Sequence, residues 1–252
     1  MSERNWNDFD GKVLMVYGAS GSLGAAILEQ LGPLAKWFRV IAASRNGPDP
    51  ANFSDDVDCL SFDPSDASSV ANLKPRLQGQ ELGVLVNAAG MLHGKADSDL
   101  MPEKKLSECS ESAFQALFAS NSVQPALLVQ SVAEFLPRKD VALIVSLSAR
   151  VGSIGDNRMG GWYAYRASKA ALNMLNRCWS IELGRRHKGL ISVCWHPGTV
   201  DSALSEPFQR NVPADKLFSP KQSAGYLKQC LEQLTRDDNG GFMAWDGKPI
   251  PW

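Results

Sequence analysis

Tyr165 and Lys169 stand four residues apart in Tyr165-Arg-Ala-Ser-Lys169, a spacing that puts both side chains on one face of a helix. A phenol with a pKa of ~10 is a poor acid–base group at neutral pH until a cation within about 4–6 Å stabilises its anion. Lys169 is placed to be that cation, so the pair could pass a proton to or from a substrate oxygen. Tyr163 competes for the role, yet four residues beyond it stands Ala167, which has no charge to offer. The plain alternative is a helix with an incidental Tyr and Lys.

A second chemistry-bearing stretch lies near the start, where Val13-Leu-Met-Val-Tyr17 runs into Gly18-Ala-Ser20-Gly21-Ser22-Leu23-Gly24 and then into helical text. Strand, glycine turn and helix in that order suit a dinucleotide. The glycines let the backbone approach closely, and the helix start offers free N–H groups and a positive dipole end to a pyrophosphate. Gly18, Ser20, Gly21, Ser22, Leu23 and Gly24 are therefore the expected phosphate-binding residues, Ser22 through its hydroxyl; a tight turn without ligand is the alternative. After the second apolar run, an acid would bond the adenosine ribose of NAD and repel the extra phosphate of NADP. The chain has Ala42-Ala-Ser44-Arg45 there. A hydroxyl and a guanidinium suit a 2′-phosphate, so NADP(H) is the expected cofactor, against the alternative of a solvated Arg45 at a strand end.

The elements that must position these groups are legible as alternating runs. Apolar, β-branched stretches at Lys12 to Tyr17, Arg39 to Ala43, Val57 to Ser61, Leu82 to Val86, Val141 to Leu147 and Leu190 to Trp195 suit strands covered on both faces. Helical patterns lie between or after them, at about 22–36, 66–78, 109–136, 162–186 and 220–235. This alternation predicts an α/β fold, a doubly wound Rossmann-type parallel sheet with helices on both faces, in a single domain over residues 1–252. Pro125 predicts a kink or restart just after Asn121. The segment 199–219, with Pro207 and Pro213, reads as an irregular connection long enough to be a substrate lid.

The net charge is −1 with scattered basic residues, which argues against nucleic acid as a partner. No apolar run approaches a membrane span, and Met1-Ser-Glu-Arg-Asn-Trp6 lacks the apolar core of a signal peptide, so a cytoplasmic location is expected without a membrane partner. Five cysteines without CxxC spacing read as reduced structural residues, and no metal site is expected.

Taken together, Gly18 to Gly24, Asn87-Ala88-Ala89-Gly90, Asn121 and the Tyr165/Lys169 pair resemble the short-chain dehydrogenase/reductase family over nearly the whole chain. The text Asp156-Asn-Arg-Met-Gly-Gly-Trp-Tyr163 and the ending Trp245 to Trp252 resemble its C-factor-like and sniffer-like carbonyl reductase subgroup. The resemblance implies hydride transfer between NADP(H) and a carbonyl or alcohol. Tyr165 would give the proton, Lys169 would lower its pKa and hold the nicotinamide ribose, and the Asn121 side chain would bind a relay water. A local cap at the proline kink is the other reading of Asn121. Asp63 would contact the adenine and Asn87 would brace the sheet, with Ala88 and Ala89 close to the cofactor. Pro197, Gly198, Thr199 and Val200 would orient the carboxamide. Asp66 reads as a helix cap with Ser69, and His196 as a structural residue. A homodimer or homotetramer is implied by analogy.

Two departures stand out. The glycines read G-x-x-G-x-x-G, with Ser22 where the family usually has its middle glycine. The serine that ends the fifth strand in the family falls on Ala149, a methyl that cannot donate to a developing oxyanion. Ser148 becomes the nominal third catalytic residue, with Ser153 as an alternative. These departures support a second reading, a catalytically weakened NADP(H)-binding sensor or signalling protein.

Overall fold

The computed structural model describes residues 5–94 and 100–252. Its elements, in chain order, are β1 (Val13–Tyr17), α1 (Ser22–Leu31), β2 (Arg39–Ser44), β3 (Val57–Ser61), α2 (Ala67–Leu77), β4 (Leu82–Asn87), α3 (Glu111–Phe118) and α4 (Gln124–Val132). There follow β5 (Val141–Leu147), α5 (Tyr163–Gly184), β6 (Gly189–His196), β7 (Thr199–Val200), β8 (Leu217–Phe218), α6 (Pro220–Gln233) and β9 (Phe242–Ala244). Seven strands form one sheet in the order β3-β2-β1-β4-β5-β6-β9, and every pairing is parallel. This is the doubly wound Rossmann-type arrangement expected, and the strand order reverses between β1 and β4, where such sheets open a crevice.

Alternate strand residues feed two separate cores. Leu14, Val16, Val84 and Val145 pack under α1 and α6 with Ile27, Leu31, Leu227 and Leu231. Val13, Met15, Leu85 and Ile144 pack on the other face with Leu128, Val132 and Leu172. With both faces covered, the central strands β1, β4, β5 and β6 are almost wholly buried, which is why they read as continuous apolar runs.

Pro125 acts as expected. The helical pattern over 109–136 divides into α3, a π-helical turn at Ala119–Val123 and α4. Pro125 has no N–H to give the carbonyl four residues back, which is that of Asn121, so the regular ladder fails at that point. The segment 199–219 is more ordered than its sequence suggests. β7 and β8 bracket it and pair in parallel, Asp201 donates from its backbone to the Phe218 carbonyl at 2.8 Å, and short 3-10 turns occupy Glu206–Asn211 and Ala214–Lys216. In the 91–108 loop, residues 95–99 lie outside the described residues. Among the described residues no helix is long and apolar enough to cross a membrane.

Candidate active site

A cleft of about 1110 Å³ opens at the crevice between β1 and β4. From the residues expected to bind cofactor it brings together Gly18, Ser20, Gly21, Ser44, Arg45, Ala88 and Ala89. The turn is built for close approach: Gly18 has φ +90, and a Cβ on it would fall 2.5 Å from the Ala89 nitrogen. Gly24 serves packing, since its Cβ would meet the Gly18 carbonyl oxygen at 2.3 Å. α1 begins at Ser22 with Gly21 as its N-cap and no side-chain cap bond, so the amides of its first turn are left for a ligand. Arg45 is exposed at the rim and forms no ion pair among the described residues, and the Ser44 and Ser20 hydroxyls lie 2.6 Å apart beside it. A glycine cradle, uncapped helix amides and an unpaired guanidinium together fit a dinucleotide carrying an extra phosphate.

Tyr17 and Asn46 also line this cleft and were not expected there. The available signal for Tyr17 was its place at the last position of β1, directly before the glycine turn. Its phenol is pushed up to about 12 by burial and by the Asp63 carboxylate, against a smaller pull from Arg45. Asp63 itself is half-buried and engaged locally. Its carboxylate accepts from the Ser65 backbone at 2.9 Å and the Ser65 hydroxyl at 2.5 Å, closing the turn after β3 rather than lining the cleft. Asp66 caps α2 as read, though it accepts from the Ser68 backbone at 2.9 Å. Asn87 braces its own turn: its Oδ1 accepts from the Ala89 backbone at 3.2 Å.

At the other end of the site, Tyr165 and Lys169 lie on α5, both buried, with the Lys169 Nζ 5.9 Å from the centre of the Tyr165 ring. The Lys169 ammonium donates to the Leu147 carbonyl at 2.8 Å. Desolvation pulls Lys169 down to about 8 and pushes the Tyr165 phenol above its ordinary value. At the phenol, burial outweighs Lys169, whose ammonium is bonded to the Leu147 carbonyl and not to the phenol.

The Asn121 side chain is also placed differently from the relay role. Its Oδ1 accepts from the Met91 backbone at 2.8 Å, and its Nδ2 donates to the Met91 carbonyl at 2.7 Å and the Ser168 hydroxyl at 3.0 Å. The amide is used within the protein, tying the loop after β4 to α5. Ser148 is turned to Asn173, whose Oδ1 accepts its hydroxyl at 2.7 Å, while Ala149 packs in the apolar cluster around Tyr165. Successive residues at a strand end project oppositely, so the residue beside the phenol is the methyl and not the hydroxyl. Ser153 donates to the Pro251 carbonyl at 2.5 Å and accepts from the Asp156 backbone at 3.1 Å.

Pro197 to Val200 form the turn into β7; Gly198 has φ +78 and the Ser223 hydroxyl holds the Pro197 carbonyl at 2.9 Å. The half-buried His196 is pulled down to about 4, by desolvation first and by Arg150 second, which keeps it neutral at physiological pH. Over the phenol lies the connecting segment. Phe208 meets Trp162 edge-on at 4.9 Å, and Trp162 in turn meets Tyr165 at 6.1 Å. His93 lies with Nε2 3.2 Å from the Ala203 carbonyl, tying the loop after β4 to the same segment. With Leu92, Ala149 and Val151 also against this cluster, the space beside the phenol is apolar.

Comparison with known proteins agrees with this geometry. Over 247 residues the chain is 29% identical to 1-hydroxy-2-glutathionyl-2-methyl-3-butene dehydrogenase of Rhodococcus sp. (strain AD45), covering 95% of this chain and 99% of that protein. It is 32% identical over 135 residues to the C-signal of Myxococcus xanthus, covering 54% of this chain and 76% of the other. Among solved structures, an NADPH-bound carbonyl reductase from chicken fatty liver superposes with a TM-score of 0.79 at 25% identity, over 96% of this chain and 100% of that one. The carbonyl reductase Sniffer of D. melanogaster shares the fold, with a TM-score of 0.78 at 23% identity over 96% and 100% of the two chains. The model of the short chain dehydrogenase family matches residues 12–213, which span the glycine turn, Asn121, the Tyr165/Lys169 pair and the Pro197 to Val200 turn. The chain belongs to the short chain dehydrogenase family.

Proposed function

We propose that the chain is a cytoplasmic NADP(H)-dependent oxidoreductase, one dinucleotide-binding domain that reduces a small-molecule carbonyl to an alcohol or runs the reverse. The observation that carries this reading is the buried Tyr165/Lys169 pair, with the Lys169 Nζ against the Gly90 that lines the cleft, together with an Arg45 at the cleft's rim that forms no ion pair among the described residues. The likeness to an NADPH-bound carbonyl reductase supports it.

The dinucleotide, when bound, supplies or accepts the hydride. Gly18, Ser20, Gly21, Ser22, Leu23 and Gly24 would hold its pyrophosphate, Ser44 and Arg45 its 2′-phosphate, Lys169 the nicotinamide ribose, and Pro197 to Val200 its carboxamide. Asp63 shapes the adenine end through the turn it closes, and Asn87, Ala88 and Ala89 form the floor. Tyr165 holds its proton firmly in a desolvated pocket and gives it from Oη to the carbonyl oxygen. Lys169, held near 8 by burial, exchanges a proton at physiological pH and favours the phenolate left behind. Asn121 keeps α5 and the loop after β4 in register. No hydroxyl just after β5 is assigned to the substrate oxygen, because Ser148 is bonded to Asn173.

Met174 and Ile181 are exposed on α5 and Val123 on the π-helical turn, an apolar stripe that suits a two-fold interface in a homodimer or homotetramer. Oxidation of NADPH against quinones, aldehydes and diketones tests the enzyme. Turnover abolished in Tyr165→Phe is the expected result. Tight NADPH binding with no turnover on any of them would favour the sensor reading, which rests on Ala149 and on the engagement of Ser148.

A further inference from the structure

α5 carries both Tyr165 and Lys169, and its start is unusual. Its N-cap, Trp162, makes no side-chain cap bond. Trp162 has φ +53 and is the one non-glycine residue with positive φ among the described residues. It follows Gly160 at +66 and Gly161 at +67, so three left-handed residues in succession lead into the helix. A residue with a Cβ persists in that region only where its surroundings hold it there.

Glu103, from the loop after β4, does the holding. Its backbone carbonyl accepts from the Trp162 N–H at 2.5 Å, and its carboxylate oxygens lie 3.3 and 3.4 Å from the Ala164 N–H. The residue is 3% exposed and forms no ion pair among the described residues, so the positive end of α5 is what its charge meets. Gly161 is pressed against the same residue: a Cβ there would lie 3.3 Å from the Glu103 carbonyl oxygen. The cap thus comes from 61 residues away.

We propose that Glu103 is a positioning residue for Tyr165. Tyr165 is the third residue of α5, inside the turn that Glu103 caps, so fraying of this turn moves the phenol directly. Lys169 lies a turn further in and is held by its own bond to Leu147, and Ser168 is held by Asn121. Loss of the cap therefore disturbs the proton donor and leaves the cofactor end in place. The Trp162 ring, set by the same contact, carries the packing of Phe208 towards Tyr165.

The inference rests on Tyr165 as the proton donor, and its test separates the two ideas. Glu103→Leu is expected to lower kcat by about tenfold to a hundredfold, the scale of a ~1 Å misplacement, with NADPH affinity within about threefold of the parent. Glu103→Gln, which keeps an acceptor in place, is expected to recover most of the rate. Ultraviolet titration of the phenol, assigned by difference against Tyr165→Phe, reads the position without any turnover: Glu103→Leu should bring it down towards its ordinary value as the turn opens. If the parent protein reduces no carbonyl, the functional reading fails and the titration still decides the positioning. Should Glu103→Leu not fold, Glu103→Asp withdraws the carboxylate by one methylene, and a slowed kcat with unchanged NADPH affinity supports the role. An unmoved titration together with kcat within about twofold of the parent, or NADPH affinity falling in step with kcat, overturns it.

Discussion

The ammonium of Lys169 lies 5.9 Å from the centre of the Tyr165 ring while its hydrogen bond goes to the Leu147 carbonyl. The two side chains share a buried pocket, and the Lys169 hydrogen bond does not go to the phenol. Tyr165→Phe removes only the hydroxyl, so kcat should fall by about 10²–10⁴, the usual worth of a positioned acid. NADPH affinity, measured by calorimetry, should stay within about threefold. A rate that survives the substitution would remove Tyr165 from the chemistry.

The same burial fixes a pH dependence. Lys169, ordinarily at 10.5, sits at about 8 in the folded chain, so its ammonium is present below that pH and is lost as pH rises through it. The reductive kcat/KM should decline above about 8 with no further break up to about 10, since the phenol is held higher still.

Stability moves the other way. Between about 8 and 10.5 the unfolded chain binds the proton that the folded chain has released, so the fold gains stability as pH rises across this window. Below about 8 the buried ammonium costs about 3 kcal/mol, at about 1.4 kcal/mol for each pKa unit. Lys169→Met should therefore raise the thermal midpoint at pH 7 while abolishing turnover, and should flatten the gain between pH 8 and 10. Scanning calorimetry at pH 7 and 9 reads both effects.

Arg45 is the exposed, unpaired cation at the rim of the cleft. Arg45→Ala should weaken NADPH binding by about 10–100-fold, the worth of charge-assisted bonds to a phosphate, and leave NADH binding unchanged. An unaltered NADPH/NADH ratio in a titration would refute the assignment of the 2′-phosphate.

Ala149 packs against the cluster that holds Tyr165, where a hydroxyl is missing. Ala149→Ser should raise kcat, by up to about 10²–10³ if the new donor reaches the substrate oxygen. A neutral or slower variant would show that position 149 does not face the reacting carbonyl.

Much of the fold was legible because its central strands are buried on both faces and its edge strand β3 still carries an apolar, β-branched start. Val57 to Ser61 and Val141 to Leu147 are strands over the very residues read from their apolar runs. β9 escaped because three residues, Phe242–Ala244, show no period. β7 and β8 are shorter still, and their pairing depends on a distant partner. Within the site, residue types at helical spacing identified Tyr165 and Lys169, whereas the state of each group depended on contacts far along the chain. Burial, a property of the whole fold, overrode the local effect of Lys169 on the phenol. Ser148 could not be assigned from text because one residue of register decides whether its hydroxyl or the Ala149 methyl faces the phenol. Glu103 gave no local signal, since its partners Trp162 and Ala164 belong to an element formed much later.

The parallel pair made by Thr199–Val200 and Leu217–Phe218 has an evolutionary consequence. Because the two ends of the excursion are clasped to each other, its interior can lengthen, shorten or be exchanged at small entropic penalty without disturbing the main sheet. A lineage could thus acquire new specificities by swapping this one module, provided that the grafted segment keeps a ring where Phe208 meets Trp162 beside the phenol.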